Sequence, residues 1–124
     1  MKQNPNGIPG QIRHGDVLIE RVGDVPAAIT PDKKPPVLAE GEISGHSHTV
    51  FGMAVMFRDD GLARSLGEQA YIGTLDAAEN AKVSHVNRDG SLTGEHDTLP
   101  IADGRNNVIA QREYDPEGER RAAD

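Results

Sequence analysis

Apolar residues alternate with polar ones over short stretches of this chain, and no stretch sustains the spacing of a long amphipathic helix. Asp16–Val22 predicts a first strand, closed by Gly23 and Pro26. A proline-containing loop follows, and Val37–Ile43 predicts a second strand with Ala39, Gly41 and Ile43 on one face and Leu38, Glu40 and Glu42 on the other. From His46 to Phe57 the pattern is extended again. His46, His48, Val50, Ala54 and Met56 fall on one side and Phe51, Met53, Val55 and Phe57 on the other, unless Gly52 marks a bulge that swaps the faces. Leu62–Glu68 reads as a short helical turn or another strand. Ala70–Leu75 and Ala81–Val86 are strands, Asn87-Arg88-Asp89-Gly90 is a hairpin signal, and Asn107–Tyr114 is the last strand. The expectation is an all-β fold, a small sandwich, jelly roll or barrel of about 7–9 short strands with little helix. The chain divides into a flexible N-terminal arm (1–11), a single β domain (12–116) and a charged C-terminal tail (117–124).

Composition narrows the function classes. Aromatics make up 3% of the chain, so its core must come from Val, Ile, Leu, Ala and Met, and a core that thin favours a homo-oligomer as a source of further burial. The formal net charge of −7 argues against nonspecific nucleic-acid binding, which needs a Lys/Arg surface to displace counterions. With no cysteine there is neither a disulfide framework nor a thiolate ligand. No apolar run is long enough to span a membrane and the start lacks an apolar leader, so a soluble, non-exported chain located in the cytoplasm is expected.

The candidate chemistry lies in the histidines. His46 and His48, two apart in an extended segment, project to one side and can converge on a point. A hairpin with Asp89-Gly90 as a two-residue loop would set His85 opposite Gly94 and His96 opposite Val83, leaving the two histidines as diagonal neighbours about 7–8 Å apart. His46, His48, His85 and His96 are the expected metal ligands, for Zn, Fe, Mn or Ni, with Glu42, Glu95 or Asp97 as accompanying carboxylates. His85-x-Asn87-x-Asp89-Gly90 with His96 at the twelfth position copies the spacing of a calcium loop, but that loop needs carboxylates at its ends and helical flanks. Catalysis has little support. There is no Gly-rich phosphate loop, and Ser44 and Ser47 lack a nucleophile-elbow pattern. Glu40 and Glu42 share a face, which is ordinarily the wet side of a strand.

Resemblances add two readings. A cupin barrel is similar in carrying His-x-His and a distant histidine, matched by His46, His48 and His96, but positions 51 to 53, where its carboxylate would fall, are Phe, Gly and Met. His46-Ser47-His48 also resembles the motif with which trimeric phage spike and fibre proteins hold an iron on their axis, which implies a structural metal. The blocks His14-Gly15-Asp16-Val17-Leu18-Ile19, Leu38 to His48 and Gln111-Arg112-Glu113-Tyr114-Asp115-Pro116 resemble a group of small uncharacterised proteins of bacterial and phage genomes. That resemblance implies homology and a phage or mobile-element setting, and brings no activity. Two classes therefore stand: a small oligomeric β protein with a transition-metal site, reaction unassigned, or a structural virion component, such as a capsid cement, decoration or spike-associated protein, partnered by capsid proteins and located in the virion.

Overall fold

A computed structural model describes residues 10–25, 29–40, 45–94, 96–110, 112–115 and 118–121. The expected all-β class holds: the chain is a small β-sandwich of two antiparallel sheets. Strands β1 (Gln11–His14), β2 (Val17–Gly23), β9 (Gly104–Ala110), β6 (Tyr71–Ala77) and β5 (Ala54–Phe57) lie in that order in a five-stranded sheet. Strands β3 (Val37–Glu40), β4 (Ser47–Phe51), β7 (Lys82–Val86) and β8 (Leu99–Pro100) form a four-stranded sheet. β10 (Arg112–Asp115) and β11 (Gly118–Arg121) pair with each other, so part of the segment read as a charged tail is strand. Gln11, at the end of the segment read as an arm, opens β1.

The core has the aliphatic character the composition demands. Val17, Ile19, Leu75 and Val108 from the larger sheet meet Leu38, Val50 and Val83 from the smaller one, with Ile101 filling between them. Burying such side chains is worth about 1.5–3 kcal/mol each, which makes this small set the main source of cohesion. Leu38 and Ala39 are both buried because a register shift between Val37 and Ala39 breaks the strict alternation expected for that strand. The ambiguous segment after Phe57 is a helix, α1 (Asp60–Leu66): Asp59 accepts a hydrogen bond from the Leu62 amide at its start, and Gly67 ends it. Residues 76–81 end β6 and make a turn.

The stretch from His46 to Phe57 is two strands in different sheets. β4 pairs with β7 and β5 with β6, so one two-stranded ribbon folds over from the smaller sheet to the larger at Gly52-Met53 and Ala78–Ala81. The Ala78 amide donates to the Met53 carbonyl across this corner at 2.8 Å. Gly52 has φ +99°, and a Cβ there would stand 2.5 Å from the Asn80 carbonyl oxygen. Gly52→Ala is therefore expected to cost about 2–4 kcal/mol, through backbone strain and a clash with main chain that cannot yield. Urea unfolding measures this, and a loss below about 0.5 kcal/mol would show that the corner does not depend on glycine.

Candidate metal centre

The chain holds five histidines, and the fold brings all of them together. The β1–β2 hairpin turns through Gly15-Asp16, with His14 paired to Val17 and positive φ at Gly15 alone of the two, the pattern of a type II′ turn. That turn presents His14 at the end of β1 and Asp16 beside it, exposed by only 2% and 6%. β4 carries His48, with His46 just before its start, and β7 sets His85 directly across from His48. His96 comes from the connection between β7 and β8.

The hairpin after β7 differs from the expected one. The Asn87 amide donates to Ser91 O and the Gly90 amide to Asn87 O, with Gly90 at φ +89°, so the loop has three residues with a bulge glycine. The register moves by one. Val86 faces Leu92, and His85 lies opposite Thr93, not Gly94. Pairing resumes only at Val83–Leu99, and His96 sits on the excursion between. His85 and His96 still meet, with ring centroids 4.7 Å apart, but by this excursion and not by the expected diagonal. The calcium-loop spacing is likewise a coincidence: His85 is a strand residue, and Asp89 accepts from the Ser91 amide and hydroxyl within the turn.

Four imidazoles close a ring of contacts. His14–His48, His48–His85, His85–His96 and His96–His14 have centroid distances of 4.8, 4.9, 4.7 and 5.5 Å, crossed by His48–His96 at 5.6 Å. His46 stands at the edge, 5.1 Å from His85. Within this cluster the ligand atoms of His48, His85 and His96 lie within 4.8 Å of one another. Of the expected ligands, those three converge and His46 flanks them. His14 and Asp16 join the site although the four-histidine set omitted both. The Gly-Asp dipeptide between alternating Ile12, His14 and Val17, Ile19 was the available signal for them. Among the expected carboxylates, Asp97 is exposed and contributes its carbonyl, while Glu42 and Glu95 fall outside the described residues.

Hydrogen bonds fix the protons on two of these rings. His14 Nε2 lies 2.8 Å from the Asp97 carbonyl oxygen, which can only accept, so Nε2 carries hydrogen. In the neutral ring Nδ1 of His14 is then an acceptor, and it faces His48 Nδ1 at 2.7 Å, so His48 Nδ1 donates. Neutral His48 is left with its lone pair on Nε2, the form in which imidazole ligates metal. His85 Nδ1 is held at 2.6 Å by the Thr93 hydroxyl. Partners on Nδ1 that orient a ring and set its tautomer are what metal-ligating histidines ordinarily have.

Burial and the neighbouring His48, followed by His96 and His85, push the His14 pKa from 6.5 down to about 4, against an opposing contribution from its bond to Asp97. Unfolded His14 thus takes up a proton at higher pH than folded His14. Its contribution to stability is complete above about pH 6.5 and is lost as the pH falls toward 4. Between pH 7.5 and 4.5 the metal-free protein should lose about 2 kcal/mol more than a His14→Gln variant in urea unfolding. Equal losses in the two proteins would show that His14 is not held neutral.

Among the described residues no helix is long and apolar enough to cross a membrane. No curated protein and no solved structure matches this chain. A family described as a domain of unknown function, DUF8820, matches residues 13–111, a span that contains every histidine. The all-β sandwich with its histidine cluster is a member of the DUF8820 family.

Proposed function

We propose that this protein binds a divalent first-row transition metal, Zn²⁺, Fe²⁺, Mn²⁺ or Ni²⁺, through His48, His85 and His96. The observation that carries the reading is the convergence of three imidazole ligand atoms, from two adjacent strands and a connecting loop, within 4.8 Å. Nitrogens bound tetrahedrally to one ion at about 2.0–2.1 Å stand about 3.3 Å apart, so closing the site takes about an ångström of side-chain motion. Energetics point the same way. Imidazoles that merely filled a core would forgo the dispersion and transfer energy of Leu or Val at the same positions. A cation that recruits several of their lone pairs supplies the compensating term.

The test is metal content. Protein stripped with chelator, loaded with Zn²⁺ and desalted should retain about one ion per chain by elemental analysis. Retention near zero after loading would defeat the reading.

A further inference from the structure

Asp16 is a buried carboxylate at the histidine cluster that the three-histidine site does not use. Its Oδ1 lies 3.7 Å from His48 Nε2, the nitrogen that the Asp97–His14–His48 hydrogen-bond chain leaves with a lone pair in the neutral ring. A divalent cation set between that oxygen and that nitrogen would be held by both, and a buried carboxylate would offset part of its charge. Their separation is close to the edge of a metal coordination polyhedron, about 3.0–3.3 Å for octahedral or tetrahedral sites. The position is also rigidly delivered. Asp16 sits in the two-residue turn between His14 and Val17, and His14 in the same hairpin holds His48 by its other nitrogen.

We infer that Asp16 is a fourth ligand, so that His48, His85, His96 and Asp16 form a three-imidazole, one-carboxylate centre, with His14 as a positioning residue that fixes the His48 tautomer. This rests on the metal reading above and sharpens it. The carboxylate lowers the net charge of the buried centre from +2 to +1 for a divalent ion. It also adds a hard oxygen donor, which raises the standing of Mn²⁺ and Fe²⁺ relative to a site built from nitrogen alone. The alternative arrangement is a proton in place of the metal, with imidazolium His48 paired to the Asp16 carboxylate.

Calorimetric titration of the metal-free protein with Mn²⁺ and with Zn²⁺ decides between them. Asp16→Asn preserves the shape of the side chain and removes its charge, and it should weaken Mn²⁺ binding by about 100-fold and Zn²⁺ binding by about 10-fold. Unchanged binding of both ions by the variant overturns the Asp16 assignment and leaves the three-histidine site standing. Failure of the wild type to bind either ion defeats the metal reading itself. Should the variant not fold, the wild type still answers. One equivalent of Zn²⁺ should shift the Asp16 carboxyl ¹³C resonance together with the His48, His85 and His96 ring signals. Ring signals that move while that carboxyl resonance stays still overturn the proposal.

Discussion

Replacing His48 with alanine should lower zinc affinity by more than about 100-fold, beyond what changes to groups behind the ligands produce. His48 is fully buried, touches the rings of His14, His85 and His96, and carries the lone pair defined by the His14 bond. The same substitution should cost the metal-free protein about 2–5 kcal/mol, because it opens a cavity and strips His14 Nδ1 of its partner. His46→Ala is the matched comparison. His46 is only half-buried and meets the cluster through His85, so its loss should change affinity less than about 10-fold. Competition against a chromophoric chelator on folded protein measures both. Similar affinities in the two variants would remove His48 from the centre of the site.

Zinc should raise the unfolding temperature by about 12–24 °C. An ion that binds the folded chain alone stabilises it by about 4 kcal/mol at a thousandfold excess over its dissociation constant. In a domain of this size each kcal/mol is worth about 3–6 °C. The site is assembled by tertiary structure, since its ligands lie on β4, β7 and the β7–β8 connection and converge only once the smaller sheet has formed. The unfolded chain has no comparable site. Thermal unfolding followed by circular dichroism, with chelator restoring the lower temperature, checks this. The gain should fade as the pH falls, because protons compete for the imidazole lone pairs. A midpoint unmoved by saturating zinc would mean the histidines serve only as polar core.

Local patterning predicted the elements well where one face of a strand is apolar and its ends are marked. β2, β6 and β7 lie close to the expected positions, and His48 and Val50 are buried as expected, although Thr49 between them is buried as well and His46, before the strand, is half-buried. Three features depended on information that alternation lacks. The passage of one extended stretch between two sheets rests on a single positive-φ residue, Gly52, and a bulge reading of glycine does not distinguish a kink from a change of sheet. The register after Asn87 turns on whether the loop has two residues or three, a choice governed by Gly90 and one hydrogen bond from Asn87 to Ser91. His14 was hidden because β1 is only four residues long and directly follows an Asn-, Pro- and Gly-rich segment, so its strand character is evident mainly through pairing with β2. The candidate site was accordingly visible as chemistry, four of its histidines being singled out by spacing. Its geometry, with Asp16 and His14 supplied from the other sheet, belongs to tertiary structure.

Diffraction from a zinc-loaded crystal at the zinc absorption edge tests the central claim most directly. The expected result is one strong anomalous peak within about 2.0–2.1 Å of a nitrogen of each of His48, His85 and His96. A peak elsewhere on the chain, or none at the cluster when zinc is bound in stoichiometric amount, would contradict it.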